Sequence, residues 1–365
     1  MRSYSDNNIQ AFFEIIRAGL WEKEASLSQF DNIDYAGILK LAEEQSVVGL
    51  VTAGLERVSD VKVPKEVLLQ FIGSTLQIEQ QNKAMNEFVA WLIDLLRKKD
   101  VYTLLVKGQG IAQCYERPLW RSCGDVDLFL SDTNYEKAKE ILIPLATEVE
   151  KEFQLLKHIG MTLSGFVVEL HGTLRIRLTR RIDREIDKVQ QECFYGGEVR
   201  SWQNGNTQVF LPGANQDVVF VFTHILQHLF IEGIGLRQIC DWCRLLWTYR
   251  DRIDHKKLEN HLQAMGLMSE WKAFGALAVE WLGMPAEALP MFGSSVQVFK
   301  GKAARLMAFI METGNFGHNR ERGGGVLKTF ARRTTDALKM MRIFPIDAWK
   351  MYFGMIRTGL IIKAE

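Results

Sequence analysis

The chain of 365 residues is poor in proline, in cysteine and in excess charge of either sign. Its 7 prolines leave little scope for long extended linkers, and its 5 cysteines, an odd number scattered along the chain, do not suit the framework of a disulfide-stabilised secreted domain. A formal net charge of +1 lacks the excess of lysine and arginine with which many proteins bind long nucleic acids. We therefore expect a reducing, cytoplasmic setting and a partner other than a long nucleic acid.

Long apolar runs are also missing from the sequence. No stretch reaches the ~18 uninterrupted apolar residues of a membrane span, and the N-terminal residues lack the apolar segment of a signal peptide. The richest apolar run, 218–231, contains two histidines and a glutamine and predicts a buried helix. With 47% hydrophobic residues the chain can form a full core, and its length allows two or three domains.

The hydrophobic periodicity divides the chain into three regions. Residues 1–98 repeat apolar residues at helical spacing, and residues 213–365 return to that spacing. Between them, residues 99–212 combine short apolar runs typical of strands with helical segments. Three consecutive glycines, 323–325, predict a flexible joint. We therefore predict an α+β fold, in which a small mixed β-sheet core is flanked by an N-terminal and a C-terminal helical region.

Apolar runs in the middle region predict strands that alternate with short helices. The pair Asn204-Gly205 additionally predicts the turn of a β-hairpin. The predicted strands are 101–106, 126–130 and 166–171, and the predicted helices are 109–115 and 135–145, the latter capped by Asp132 or Thr133.

Two aspartates one residue apart, Asp125 and Asp127, are the strongest chemical signal. Side chains two positions apart on a strand project from the same face, so both carboxylates can bind the same metal ions. Mg²⁺ takes oxygen ligands, and two such ions can activate an attacking oxygen and stabilise a leaving one. Glu169, flanked by apolar residues in a later predicted strand, is the candidate third ligand. The sequence thus predicts a catalytic metal site of three carboxylates for Mg²⁺, with Mn²⁺ as the alternative.

Cations and glycines around the aspartates predict a phosphate-binding site. Lys107 and Gly108 end the first predicted strand and open a helix, whose free N–H groups suit an anion. Arg121, or alternatively Arg117, can hold phosphate oxygens through a two-pronged guanidinium contact. Gly124 leaves room for phosphates to approach the backbone. This order of strand, cation, glycine and paired aspartates favours a phosphate-transfer enzyme that binds a triphosphate.

Histidines provide further candidates for the wall of a cleft. His171 shares a strand face with the third carboxylate and is a candidate phosphate contact, general base or hydrogen-bond partner of a metal ligand. His224 and His228 lie four residues apart on one helix face, and either line the cleft or pack in the core. Their spacing before Cys240 and Cys243 also fits zinc, but both cysteines fall within a predicted continuous helix, which disfavours a zinc site.

The segment resembles the nucleotidyltransferase superfold of the DNA polymerase β type. Within it, the chain is similar to a bacterial family of uncharacterised nucleotidyltransferases, called nucleotidyltransferase 5. That family shows a strand ending in Lys-Gly, a helix ending in Tyr, an Arg, a Gly-Asp-[Ile/Val]-Asp-Leu motif and a later acid-Leu-His, before a helical part with histidines and an arginine-to-aspartate pair. The matching residues are Lys107, Gly108, Tyr115, Arg121, 124–128, 169–171, His224, His228, Arg237 and Asp241, and the resemblance covers most of 35–250.

The resemblance implies a metal-dependent enzyme that moves a nucleoside monophosphate from a nucleoside triphosphate, with ATP expected, to an acceptor hydroxyl or phosphate. The sequence does not identify the acceptor: a small molecule or a protein is expected, and an RNA end stays open. Two alternatives stay open on the same fold: a non-catalytic nucleotide-binding or scaffold protein, and a phosphotransferase that moves the γ-phosphate. The cleft implied by the resemblance is lined by His171, His224, His228, Arg237 and Asp241.

One departure from the superfold concerns the loop after the first strand. The superfold usually has Gly-Ser or Gly-Gly there, whereas Gly108 is followed by Gln109 and the interval to Asp125 is longer. The departure therefore concerns the phosphate-binding loop and leaves the motif with the paired aspartates intact.

The C-terminal stretch 320–365 is basic and aromatic. We expect it to form a pair of terminal helices that pack on the body of the protein, with lysines extending outward. The alternative is peripheral contact with an anionic membrane surface or another polyanion.

Overall fold

The computed structural model describes residues 6–293, 296–317, 319 and 325–359. A small mixed β-sheet has helices before and after it in the chain, which confirms the predicted α+β class. The helices are α1 (Asp6–Trp21), α2 (Tyr35–Glu44), α3 (Val48–Leu55), α4 (Lys65–Arg97), α5 (Gly108–Ala112), α6 (Asp132–Leu142), α7 (Arg180–Tyr195), α8 (Ala214–Ile231), α9 (Leu236–Tyr249), α10 (His255–Met265), α11 (Met268–Leu282), α12 (Val296–Thr313), α13 (Gly325–Met341) and α14 (Pro345–Thr358). The strands are β1 (Leu104–Val106), β2 (Asp125–Phe129), β3 (Glu148–Val149), β4 (His158–Leu163), β5 (Phe166–His171), β6 (Val199–Asn204) and β7 (Thr207–Pro212).

The larger sheet has five strands in the order β1-β2-β5-β4-β3. Strands β2 and β5 run parallel, whereas the other neighbours are antiparallel. In the parallel pair, Asp127 lies opposite Glu169. The sheet therefore brings together two acidic residues that are far apart in the sequence.

The two faces of the sheet have different surroundings. Alternate residues of β2, Val126 and Leu128, pack into a hydrophobic cluster with the second half of α4 and with α6. Asp125 and Asp127 project from the opposite face, as the period of a strand requires. Helices α8 and α9 supply residues to the cavity over this carboxylate-bearing face, so the predicted helical C-terminal part contributes one wall of a cleft.

Some predicted boundaries were wrong. Strand β1 begins at Leu104 instead of Val101, since Val101 is buried without joining the β-ladder. Helix α6 begins at Asp132, with Ser131 as its N-cap in place of the predicted Asp132 or Thr133. Strands β3 and β4 were not predicted. The division at residues 98 and 212 stays a prediction.

The hairpin predicted at Asn204-Gly205 is confirmed. Strands β6 and β7 form a separate two-stranded sheet in which Asn204 pairs with Thr207. Gly205 in the turn has φ +59, a left-handed conformation that glycine adopts without steric cost.

The C-terminal helices α13 and α14 contact each other, and α13 also contacts α8. An apolar stripe on α14, formed by Ile346, Trp349, Phe353 and Ile356, is exposed. Contact of this region with a membrane surface or a polyanion stays a prediction. The glycines at 323 and 324 lie outside the described residues, and Gly325 begins α13. Across the described part of the chain, no helix combines the length and the hydropathy needed to cross a bilayer.

Candidate active site

Three carboxylates converge at the β2–β5 pair. One side-chain oxygen from each of Asp125, Asp127 and Glu169 lies within 4.8 Å of the other two. Asp127 is 1% exposed, while Asp125 and Glu169 are partly exposed to the cleft. A set of hard oxygen donors that solvent can reach is the chemistry that Mg²⁺ or Mn²⁺ favours, so the residues fit the predicted metal.

A lysine and a histidine contact the buried carboxylate of Asp127. Lys107 Nζ lies 2.6 Å from Asp127 Oδ1, and His171 Nε2 lies 2.8 Å from the same oxygen. Burial alone lowers the pKa of Lys107, but Asp127, Glu169 and Asp125 outweigh this effect and raise the pKa above its usual value. The pKa of His171 is likewise lowered by burial and raised overall by hydrogen bonds to Asp127 and Glu169. The lysine therefore keeps its positive charge beside the carboxylates.

The negative charge of Asp125 is not offset by an ion pair of the kind that Asp127 forms with Lys107 in the described part of the chain. Among the residues that the structure describes, no cation forms an ion pair with its side chain, whereas Asp127 and Glu169 lie close by. The charge on Asp127, followed by burial, raises the pKa of Asp125 above its ordinary value. Like charges held together in a cleft are stabilised by a bound cation, so this residue has the environment of a metal ligand.

The backbone at Lys107 is strained. Its φ of +57 and ψ of −146 lie in a region that residues with a side chain rarely adopt, at a cost of about 1–3 kcal/mol. Gly108 follows with φ +38, and α5 then spans only five residues. Lys107 Nζ also lies 3.2 Å from His224 Nε2. The loop that departs from the superfold pattern thus holds a lysine against Asp127 through a conformation that costs free energy.

The two histidines of α8 line the cleft and contact each other. His224 Nε2 lies 3.2 Å from His228 Nε2. Burial, followed by the charge of Lys107, holds the pKa of His224 well below its usual value, so its imidazole is neutral. The structure places both histidines in the lining of the cleft, which is the first of the two interpretations given for this pair.

The alternative zinc pattern does not assemble. Cys240 and Cys243 are fully buried in the hydrophobic core, where burial raises the pKa of both thiols. Within the described ranges, the groups of three or more potential ligand residues close enough to hold a metal ion include neither cysteine.

Arg121 forms a buried ion pair with Asp241 of α9. Its Nε donates to Asp241 Oδ1 at 3.0 Å and its Nη2 donates to Asp241 Oδ2 at 2.6 Å, while the Tyr115 hydroxyl donates to Oδ1 at 2.8 Å. The remaining Nη1 donates to the carbonyl of Ser122 at 3.1 Å. The guanidinium that was predicted to bind phosphate is therefore already occupied by protein groups, and its role towards phosphate stays a prediction. Arg117 pairs with Glu56 and lies over the ring of Trp120.

Arg237, four residues before Asp241 on α9, has unused hydrogen-bonding capacity. Its Nη1 donates to Ser122 O at 2.8 Å, and in the described part of the chain its Nε contacts no acceptor. Burial and the charge of Arg121 lower the pKa of this guanidinium. A half-buried arginine at a cleft, with no carboxylate partner within the described ranges, is a candidate contact for an anionic group.

The cleft that contains these residues has a volume of about 1530 Å³, including the open space at its mouth. Gly124 lies outside its lining, exposed just before β2, and a Cβ at this position would have no atom within 4 Å. His158 and Arg175 line the cleft and were missed by the sequence interpretation. The predicted residues that line it are Lys107, Gly108, Arg121, Asp125, Asp127, Glu169, His171, His224, His228, Arg237 and Asp241.

A comparison with protein-family models matches residues 31–283 to a family described as uncharacterised nucleotidyltransferase. The chain belongs to this family. The match contains all of the five-stranded sheet and, apart from Phe316, all of the residues that line the cleft, and it confirms the predicted family. Membership of a nucleotidyltransferase family supports a role in nucleotidyl transfer. Comparisons with curated proteins and with solved structures find no match for this chain.

Proposed function

We propose that the protein transfers a nucleoside monophosphate from a nucleoside triphosphate, with ATP as the expected donor, to an acceptor hydroxyl or phosphate. The observation that carries this proposal is the convergence of Asp125, Asp127 and Glu169 within 4.8 Å, in a chain that belongs to a nucleotidyltransferase family. The acceptor belongs to a small molecule or a protein, and the setting is bacterial and cytoplasmic.

The three carboxylates would hold Mg²⁺, or Mn²⁺. A cation bound there supplies positive charge to the phosphate oxygens and to the oxygens that attack and leave in an in-line displacement. Lys107 retains its proton under the influence of the carboxylates and offers a fixed positive charge to a phosphate oxygen. Glu169 additionally orients the acceptor hydroxyl. His224, held neutral by burial and by Lys107, can accept a hydrogen bond from that lysine.

Transfer of radioactive label tests the proposed reaction. We expect that label from the α-phosphate of ATP appears on an acceptor and that pyrophosphate is released, because nucleotidyl transfer breaks the bond between the α- and β-phosphates. The acceptors to screen are hydroxyl-bearing small molecules, cell proteins and the protein itself. A variant with Asp125→Asn and Asp127→Asn serves as the control and is expected to transfer no label above background.

The other two outcomes identify the alternatives. Transfer of label from the γ-phosphate, without pyrophosphate, would replace the proposal with a phosphotransferase. Binding of a triphosphate without transfer from any of the four nucleotides to any acceptor would favour a non-catalytic nucleotide-binding or scaffold protein.

Replacing Arg237 with glutamine is expected to raise the KM for ATP about tenfold, which corresponds to the loss of one charge-assisted hydrogen bond. Thermal stability should change little, because the guanidinium has no carboxylate partner in the described part of the chain and lies near the charge of Arg121. The measurement is the dependence of label transfer on ATP concentration, together with a thermal melt. The KM of an Arg237→Lys variant, which keeps the charge but loses the planar fork, should lie between the KM of the parent and that of the glutamine variant. An unchanged KM in the glutamine variant would remove Arg237 from the triphosphate site.

A further inference from the structure

A second group of potential metal ligands lies beside the three carboxylates. It consists of His158, Glu169 and His171, whose ligand atoms lie within 4.8 Å of one another. His171 and Glu169 are two positions apart on β5, and His158 on the antiparallel strand β4 pairs with His171. Residues two apart on a strand and directly opposed residues on neighbouring strands share a face. The β4–β5 hairpin thus directs two imidazoles and one carboxylate to one place.

The two distances from Glu169 to the imidazoles resemble those of a coordination sphere. His158 Nε2 lies 3.2 Å from Glu169 Oε2, and His171 Nε2 lies 3.4 Å from the same oxygen. Bonds of about 2.0–2.2 Å from a metal to nitrogen or oxygen ligands place neighbouring ligands of a tetrahedral or octahedral ion roughly 2.8–3.6 Å apart. Glu169 therefore lies at the distance of a neighbouring ligand from each imidazole, and all three ligand atoms lie within 4.8 Å of one another.

Hydrogen bonds explain only some of the close contacts among these three side chains. His171 Nε2 faces two carboxylates, since it is also 2.8 Å from Asp127 Oδ1, although a ring nitrogen carries at most one proton. The side chains of His158, Glu169 and His171 are 20%, 27% and 12% exposed, and all three line the cleft. Water or substrate can reach them, and catalytic metal sites keep such an open coordination position.

We propose that His158, Glu169 and His171 form a second cation site, which binds a divalent transition-metal ion such as Mn²⁺, Co²⁺ or Zn²⁺ in preference to Mg²⁺. Two imidazole ligands favour these ions, whereas Mg²⁺ selects oxygen ligands. Glu169 belongs to both groups and would lie between the two cations. The second site itself is independent of the transfer reaction, and only the sharing of Glu169 with a catalytic cation rests on the proposed function.

Electron paramagnetic resonance with Mn²⁺ alone, in the absence of nucleotide, tests the second site. Pulsed measurements detect coupling between the unpaired electrons of Mn²⁺ and a directly bound ¹⁴N nucleus. We expect ¹⁴N coupling in the full-length protein, retained in the presence of excess Mg²⁺. His158→Ala should raise the Kd for Mn²⁺ at this site at least tenfold and weaken the coupling, because one of the two nitrogen ligands is lost.

Two variants serve as controls for this measurement. His255→Ala removes an exposed histidine at the start of α10 and should leave the Kd and the coupling unchanged. Asp125→Asn changes the cluster of three carboxylates but none of the three proposed ligands of the second site, so the ¹⁴N coupling should persist. A protein that binds Mn²⁺ without ¹⁴N coupling, or a His158→Ala variant with the affinity and coupling of the parent, would overturn the inference. Because the experiment contains no nucleotide, failure of label transfer with persistent ¹⁴N coupling would sink the proposed function and leave the second site standing.

Discussion

Replacing Asp125 with asparagine should reduce nucleotidyl transfer by about 10³-fold and at the same time stabilise the fold. The loss follows from the metal site, since an amide is a weaker ligand than a carboxylate and metal ions supply several kcal/mol of transition-state stabilisation. The gain follows from charge, because Asp125 lies beside Asp127 and Glu169 without a cation of its own among the described residues. We expect an increase of on the order of 1 kcal/mol in the free energy of unfolding without added metal.

The stability gained by this variant should depend on pH in a defined direction. Neighbouring Asp127, followed by burial, raises the pKa of Asp125 in the folded state above its value in the unfolded chain. The folded protein therefore binds more protons than the unfolded chain between these two pKa values, and ionisation of Asp125 lowers stability as the pH rises through that interval. The advantage of asparagine should be absent below the unfolded pKa and complete above the folded pKa.

Denaturation in urea at acidic and at slightly alkaline pH, with label transfer measured in parallel, examines both effects. Asp132→Asn is the matched control, because Asp132 is exposed and, within the described ranges, forms an ion pair only with the half-buried Lys157. Its effect on stability should be below about 1 kcal/mol, with transfer unchanged. An Asp125→Asn variant that transfers label at the parent rate would remove Asp125 from the catalytic site, and one that is destabilised at alkaline pH would refute the electrostatic account.

The local part of the site could be predicted from the sequence because it depends on strand geometry. Asp125 and Asp127 share a face through the two-residue period of a strand, and this needs no information from elsewhere in the chain. The position of Glu169 is different, because β2 and β5 are separated in sequence by α6, β3 and β4. Parallel pairing across such an interval has no short-range signal, so Glu169 was identified by its acidic character in an apolar strand and by resemblance.

His158 was missed because strand β4 was not predicted. Gly160 interrupts the apolar pattern of that strand, and glycine disfavours strand formation. A usable signal was nevertheless present in the sequence, because the pair Ser164-Gly165 is typical of a turn, and both residues have positive φ in the structure. Residues at equal distances from such a turn pair across a hairpin, and His158 and His171 are one of these pairs.

Arg121 shows that a charge pair between residues far apart in the chain could not be predicted from the sequence. Arginine before paired aspartates fits phosphate binding, yet its guanidinium contacts Asp241, 120 positions away. Nothing near either residue distinguishes an arginine that binds phosphate from one that binds a distant carboxylate. The structure therefore adds a second interpretation for Arg121, as a residue that joins the loop before β2 to α9.

Replacing Asp241 with alanine is expected to lower the free energy of unfolding by about 3–5 kcal/mol, the cost of removing one partner from a buried ion pair. The Arg121 and Asp241 side chains are 6% and 5% exposed. Without Asp241, the guanidinium of Arg121 stays charged in a buried position, because arginine does not deprotonate in proteins, and the Tyr115 hydroxyl also loses its acceptor. Denaturation in urea measures this cost. The control is Glu116→Ala, which breaks the more exposed pair with Arg57 and should cost less than about 1 kcal/mol.

The double variant Arg121→Met, Asp241→Leu separates the two interpretations of Arg121. Replacing both partners with apolar residues of similar size removes the unpaired charge, so stability should return to within about 1–2 kcal/mol of the parent. If Arg121 only joins the loop to α9, label transfer should return together with stability. If Arg121 also contacts the triphosphate, the double variant should be stable but have a raised KM for ATP. A double variant as unstable as Asp241→Ala would show that the shape of the pair, rather than its charge, holds α9 against the loop.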